Sequence, residues 1–430
     1  MVDLGVITNE FPQIGTEEHL EVNGNSTTLQ HSVTTPKTCS CLTRTLPPGR
    51  PTTLPFECTQ ENVPKMKQWL VDRYASSTFN RCPHQKLPLM DGPPIKIMVD
   101  PNATPVKVNT PATVPLHWQE EAERKLEDVA LGVIERVPIG EELTWCHCMV
   151  LVRKPDGSPR RTVDLSPLNR HCLRETHHVK PPFQQARSIP PNTLKTVFDA
   201  WNGFHSIPIR ECDRHLTTFI TPIGRFRYIT GPQGYCSIGD GYTRRYDEII
   251  AEVERKTKVT DDAAIWDDEN EMEQHWWRAI DFQELTGRHG VIQNSDKFQF
   301  CNHEIEFAGF KITNSTVEPL PKYLDAIQKF PRPKSITDIR SWFGLVNQCS
   351  HYGQLSTMME PFKHLLSPKT LFKWTDELEA IFIESKKQII MAIKEGVEIF
   401  DPSHPTCLRP DYSKKGIGFY LGQNIVPLKK

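Results

Sequence analysis

Three carboxylates in the middle of the chain stand where phosphoryl-transfer chemistry would need them. Asp199 ends the apolar run Thr196-Val197-Phe198-Asp199, and Asp261-Asp262 follow Val259-Thr260 to open a second short segment. Two-metal transfer needs acids brought in on separate strand-like segments. Its divalent ions sit roughly 3.5–4 Å apart, one activating the attacking oxygen and one steadying the leaving oxygen. Hard Mg²⁺ selects oxygen ligands, chiefly carboxylates and substrate phosphates, so neutral side chains cannot take these places. By spacing alone, the same residues also read as an acidic pair on a solvated turn.

The elements that must position these acids are legible in outline. A chain of 430 residues is expected to form two or three domains. Its 37% hydrophobic content suffices for packed cores, and its 36 prolines point to extended connectors as well. Net charge is −2, so no global basic field announces a nucleic-acid partner. Local charge says more. Arg153, Lys154, Arg160, Arg161, Arg170, Arg174 and Lys180 make one segment basic, and the stretch from Asp261 to Glu273 is acidic. A basic segment near a carboxylate site suits a polyanionic substrate with metal, although two solvated faces of opposite sign would look the same.

Cys39-Ser40-Cys41, Cys146-His147-Cys148 and Cys82-Pro83-His84 each lack a second ligand pair at zinc-site spacing, so reduced intracellular thiols are expected. The N-terminus has neither a basic region nor an apolar core, so it does not read as a secretion signal. No run of about 18 apolar residues occurs, so no membrane helix is expected.

Residues before about 115 are rich in Pro, Thr and Ser and read as a tether or a wrap, with a short helix over Val63–Tyr74. The stripe Ala122, Leu126, Val129, Ala130, Ile134 predicts a helix over Glu120–Arg136, stopped by Pro138. Cys148–Val152 and Thr162–Leu165 read as strands around a Pro155-Asp156-Gly157 turn. Helices are predicted over Tyr242–Val253, Glu273–Leu285 and Asp376–Lys394, and another opens on the capping box Ser335–Asp338. Phe307–Ile312 reads as a strand or tight hairpin, and Thr406–Asp411 with Ile417–Leu421 as a terminal strand pair.

Six motifs then occur in order, Thr196–Ile209, Thr217–Gly224, Pro232-Gln233-Gly234, Asp261-Asp262, Ser295–Phe300 and Glu306–Phe310, with Arg153–Asn169 upstream of them. Together they resemble the reverse transcriptase of gypsy-like LTR retrotransposon polyproteins. Asp338–Val346, Phe372-Lys373-Trp374 and Arg409–Gln423 resemble that polyprotein's thumb and the start of its RNase H domain. The resemblance covers about 115 to 423, and Leu4–Ile7 with Phe11-Pro12 faintly resemble the connector after the family's protease.

The resemblance implies an α+β, right-hand polymerase of fingers, palm and thumb, with a truncated RNase H-like α/β segment and a Pro/Thr-rich N-terminal extension. Its expected organisation is an extension over 1–114, partly disordered; fingers and palm over 115–312; thumb over 313–370; and a connection with the RNase H-like start over 371–430. The implied activity is RNA-directed DNA polymerisation, extending a primer 3′-hydroxyl on RNA or DNA template with dNTP and two Mg²⁺ ions, or Mn²⁺. The implied setting is cytoplasmic, within virus-like particles and not secreted. Partners would include other Pol segments: protease, full RNase H and integrase.

Asp199, Asp261 and Asp262 match the metal ligands, and Lys297 matches a lysine that protonates the leaving pyrophosphate. Phe204 matches the aromatic that crowds a ribose 2′-hydroxyl. Lys154, Arg160 and Arg161 match the triphosphate clamp, where a guanidinium suits bidentate contact. Gln233 joins the nucleotide site, Gly234 touches the template–primer, and Phe307-Ala308-Gly309-Phe310 match the turn that grips the primer end.

Three departures stand out. Val259 replaces the family's aromatic before the acid pair, and Tyr235–Tyr242 differs from the usual Leu-x-x-Ala-Pro-x-x-Phe. Of the RNase H carboxylates only Asp411 is present, so RNase H activity from this chain is not expected. The competing expectation is a catalytically inactive remnant, or a co-opted fragment that binds nucleic acid or protein.

Overall fold

The computed structural model describes residues 43–423, apart from 83–84, 121–128, 130, 154–156, 158, 353–354, 368–371, 395, 401–403 and 414–415. The chain divides into the units Met1–Cys39 and Ser40–Lys430, and every described residue belongs to the second. Its strands begin with β1 (Phe79–Asn80), β2 (Ile134–Arg136), β3 (His147–Arg153), β4 (Pro159–Asp164), β5 (Thr193–Asp199), β6 (Phe219–Thr221) and β7 (Gly224–Tyr228). There follow β8 (Lys256–Val259), β9 (Asp262–Asp268), β10 (Gln293–Asn294), β11 (Gln299–Asn302), β12 (Ile305–Phe307), β13 (Phe310–Ile312) and β14 (Thr316–Pro319). The last three are β15 (Val397–Glu398), β16 (Thr406–Ser413) and β17 (Gly416–Gln423).

A four-stranded antiparallel sheet, ordered β11-β5-β9-β8, carries the acids. It is covered on both faces. Leu194, Phe198, Ala263 and Ile265 enter one core with Trp276, Ala279 and Ile280 of the helix Met272–Arg288. Val197 and Ala264 enter a second core with Ile305, Phe307 and Ile312. Burial on both faces explains why these strands read as apolar runs rather than alternating ones.

A five-stranded sheet, ordered β2-β7-β6-β3-β4, takes three strands from before β5 in the chain and two from after it, and within it only β3 and β6 pair in parallel. The β3–β4 hairpin pairs Cys148 with Asp164 through Arg153 with Pro159, and Gly157 takes φ +86° in its turn. Left-handed backbone is what glycine supplies there. The predicted Glu120–Arg136 helix needs correction. Residues 121–128 and 130 lie outside the described residues, but Ile134–Arg136 is strand β2, paired with β7 (Ile134 opposite Tyr228). Gly132, at φ +73°, turns the chain just before it, and sheet pairing overrides the helical spacing.

From residue 43 onward the extension is a wrap, not a tether. Its helix Val63–Arg73 buries Val63, Met66, Leu70 and Val71 in the first core. Tyr74 donates to Glu284 at 2.9 Å, and β1 pairs in parallel with β10. Cys82 is disulfide-bonded, which corrects the expectation of reduced thiols throughout.

The helix expected over Tyr242–Val253 runs instead over Ile238–Ile249. Gly239 and Gly241 hid its start from a propensity reading. Gly241 is there for space: a Cβ would meet Ile95 Cδ1 at 3.2 Å. Downstream helices cover Pro321–Lys329, Ile336–Gln348 and Asp376–Lys394. The capping box forms, with Asp338 N donating to Ser335 Oγ at 3.2 Å. β12 and β13 make the predicted tight hairpin, whose turn places Ala308 and Gly309 at φ +51° and +87°. Asp411 lies on β16, in register opposite Gly418 of β17.

Candidate active site

The register of β5 on β9 sets Asp199 directly opposite Asp262 on the same face of the sheet. Like charges facing each other across strands destabilise a sheet. Asp261 sits beside them in the β8–β9 turn, after Thr260, a β-branched residue held at φ +48°. Lys297 Nζ donates to Asp199 Oδ2 at 3.0 Å, and Ala308 N donates to Asp262 Oδ2 at 3.2 Å. Burial, then the charge of Asp199, raises the Asp261 carboxyl above its usual range. The same two influences push Asp262 up to about 6.

As the side chains stand, no three His, Cys, Asp or Glu among the described residues converge on one ion position. Asp199 is turned to Lys297 and Asp262 to the Ala308 amide. The donor set nevertheless fits a hard divalent cation: three carboxylates on adjoining backbone, with Asp261 Oδ1 buried and unpartnered among the described residues.

Beneath Asp261 lies a layer absent from the motif reading. Tyr242 and Tyr246 are fully buried, and neither hydroxyl has a hydrogen-bond partner among the described residues. The Tyr242 hydroxyl faces Asp261 and lowers its pKa, against the burial and the Asp199 charge that raise it. Lys258, also buried, pairs with Asp247 at 3.1 Å and lies 5.1 Å from the Tyr246 ring centre. Phe204 stands edge-to-face on Tyr242, centroids 5.4 Å apart at 81°.

The basic residues separate by face. Arg160 is exposed and donates to Gln233 Oε1. Arg161 turns the other way, donating to Tyr228 Oη at 2.9 Å and lying over the Phe219 and Tyr228 rings. Strand alternation parts them. Lys154 lies outside the described residues. Gly234, at φ +100°, is clamped by Asn169, whose Nδ2 donates to Gly234 O at 2.7 Å while its Oδ1 accepts from Cys236 N at 3.0 Å. Asn169 ends the Arg153–Asn169 motif, but nothing in the sequence shows it reaching Gly234, 65 positions further on.

Phe307 is 1% exposed, a core residue of the second cluster. It is the Ala308–Gly309 turn, tied to Asp262, that adjoins the acids. Phe310 is partly buried and meets Phe183 edge-on at 5.6 Å.

Behind the sheet runs a second polar chain. Thr196 Oγ1 accepts from Cys301 N at 3.0 Å and lies 2.7 Å from His275 Nε2; His275 Nδ1 lies 3.0 Å from Asp267 Oδ2. The Asp267 carboxylate can only accept, so the neutral ring carries its proton on Nδ1 and Nε2 accepts from the Thr196 hydroxyl. Arg278 Nε donates to both Asp267 oxygens, at 3.0 and 2.9 Å. The order hydroxyl, imidazole, carboxylate mimics a nucleophile relay, but Thr196, His275 and Asp267 are each 0% exposed, so it is structural.

Solved structures with this architecture include a foamy viral protease-reverse transcriptase in complex with double-stranded DNA. It matches at TM-score 0.73 and 17% identity, over 87% of this chain and 68% of that one. The same enzyme in complex with an RNA/DNA hybrid matches at TM-score 0.72 and 18% identity, over 85% and 48%. The fold is that of a reverse transcriptase. In sequence, the chain is similar to the transposon Tf2-7 polyprotein of Schizosaccharomyces pombe, 25% identical over 276 residues. The Tf2-3 polyprotein of the same yeast is 26% identical over 278 residues. Each match takes in 64% of this chain but spans only 21% of the relative. No family model matches the chain. The sequence likeness and the reverse-transcriptase fold agree with the LTR-retrotransposon resemblance carried by the motifs.

Proposed function

We propose that this chain is the polymerase segment of a retrotransposon polyprotein and extends primers with deoxynucleotides on an RNA or DNA template. One observation carries the reading: Asp199 and Asp262 face each other across β5 and β9 beside Asp261, at the edge that also holds Lys297 and the Ala308–Gly309 turn. On this reading the β11-β5-β9-β8 sheet is the palm, the β2-β7-β6-β3-β4 sheet belongs to the fingers, and the helices after β14 begin the thumb.

Asp199, Asp261 and Asp262 would hold divalent cations, Mg²⁺ or Mn²⁺. Such ions lower the pKa of an attacking hydroxyl and absorb charge on the leaving pyrophosphate. The chain's own residues do the rest. Lys297 stands at Asp199 with its ammonium positioned to give a proton to the departing oxygen. Arg160, held at Gln233, offers a planar guanidinium to the triphosphate. Phe204 walls the sugar and disfavours a 2′-hydroxyl by contact. The Ala308–Gly309 turn, left-handed at both residues, presents backbone to the primer end.

The test is primer extension on poly(rA)/oligo(dT) with Mg²⁺ or Mn²⁺, beside Asp261→Asn. Incorporation by the wild-type chain, lost in the variant, is expected. A folded chain that incorporates nothing refutes the enzyme reading and leaves a nucleic-acid-binding remnant. Incorporation that survives Asp261→Asn refutes the site.

A further inference from the structure

Tyr242 packs its ring against Phe204 and Tyr246, and its hydroxyl is the part of the side chain that this packing does not use. The side chain is fully buried. Three neighbours fix its role. Its ring is the wall on which Phe204 stands edge-to-face at 5.4 Å. It fills the space over Gly203, where an added Cβ would lie 2.4 Å from Cζ and 2.5 Å from the hydroxyl oxygen. Its hydroxyl faces Asp261, and that hydroxyl and Asp261 Oδ1 are both buried without hydrogen-bond partners among the described residues.

Two orphaned polar atoms facing one another in a buried site carry a desolvation cost unless one is completed when the site is loaded. A hydroxyl there can donate to one carboxylate oxygen while the other turns outward to a cation. Outer hydrogen bonds of this kind orient ligating groups. The ring meanwhile decides how far Phe204 can retreat from a bulkier sugar. Gly203 is the small residue that makes room for both.

We propose that Tyr242 is a positioning and specificity residue that couples the two halves of the site. Its hydroxyl orients Asp261 for the divalent cation, and its ring braces Phe204 against the sugar. The inference rests on the polymerase reading, and it explains why a tyrosine and an adjoining glycine stand in this layer.

The experiment separates hydroxyl from ring. Tyr242→Phe keeps the packing and removes one atom, so the native melt should be retained. Mn²⁺ binding to the full chain, followed by the electron paramagnetic resonance of free Mn²⁺ and hence without turnover, should weaken roughly tenfold. The preference for dNTP over rNTP should stay as in the wild type. Tyr242→Met should lower that preference roughly tenfold as the Phe204 wall gives way. If Tyr242→Met does not melt cooperatively, Gly203→Ala, which displaces the ring by a methyl, carries the same expectation. Unchanged Mn²⁺ binding in Tyr242→Phe overturns the orienting role, and full sugar preference in a folded ring variant overturns the bracing role. A wild-type chain that binds Mn²⁺ but extends no primer refutes the polymerase reading, and the Tyr242→Phe binding comparison still decides the orienting role.

Discussion

Asp262 and Asp267 lie towards opposite ends of the same strand, β9, and meet opposite surroundings. Asp267 is 0% exposed, yet Arg278 and His275 reach it at 2.9 and 3.0 Å, and Arg255 approaches at 3.4 Å. Burial, the largest single influence, works to raise its pKa, but these partners together bring it below the usual carboxylate range. Asp262 gets one backbone amide and a second carboxylate, and its pKa rises through burial and then through Asp199. A buried acid that serves the fold is surrounded by donors. One left facing another acid marks a place completed from outside the chain. The same strand shows both conditions, so the difference is not one of local sequence.

That contrast can be broken at several points. The largest effect is expected from Asp261→Asn, which should lower primer extension on the order of 10⁴-fold, about 5.4 kcal/mol in activation free energy. Circular dichroism should show the fold intact. Asp267→Asn should do the reverse: it strands Arg278 and His275, costs about 3–5 kcal/mol in urea unfolding, and leaves Mn²⁺ binding by the surviving native fraction unchanged. Asp199→Asn relieves the facing charges and should stabilise the metal-free chain by about 1 kcal/mol while abolishing extension. A destabilised Asp199→Asn would show that Lys297 already compensates the pair. Arg160→Ala should raise the KM for dNTP roughly tenfold in steady-state kinetics with primer binding unchanged; an equal effect from Arg161→Ala would contradict the two-face arrangement.

The smallest effect is a pH dependence. His275 is lowered from 6.5, mainly by burial, so below 6.5 the unfolded chain takes up a proton that the native state refuses. Asp267 is lowered from 3.8, so below 3.8 the unfolded carboxyl protonates first. Both make stability fall as pH falls, first below 6.5 and again below 3.8. Asp262, raised to about 6, works the other way in the same window, so the His275 contribution is read as a difference: between pH 7.5 and 5 the wild-type chain should lose more stability, measured by its urea midpoint, than His275→Gln. A slope identical to the wild type would remove His275 from the account.

Much of the fold was legible because local rules and packing agree. The Ser335 capping box, the helix Asp376–Lys394, the β12–β13 turn and the β3–β4 pairing all stand where the sequence pattern sets them. The pattern failed where a long-range partner chose the conformation. β7 draws Ile134–Arg136 into a sheet, and Gly241, one of the two glycines that mask the start of the Ile238–Ile249 helix, is there to make room for Ile95. Arg160 and Arg161 looked interchangeable until strand alternation sent one to Gln233 and the other to Tyr228.

The sequence by itself determined the order of the motifs, the three acids and the apolar strands that carry them, since residue type and near-neighbour spacing are local properties. Tertiary structure alone decided that Asp199 faces Asp262, that Lys297 stands 3.0 Å from Asp199, and that Tyr242 lies beneath Asp261 and Phe204. Register, burial and the meeting of distant segments depend on how strands pair and cores close, and no local pattern encodes those distances.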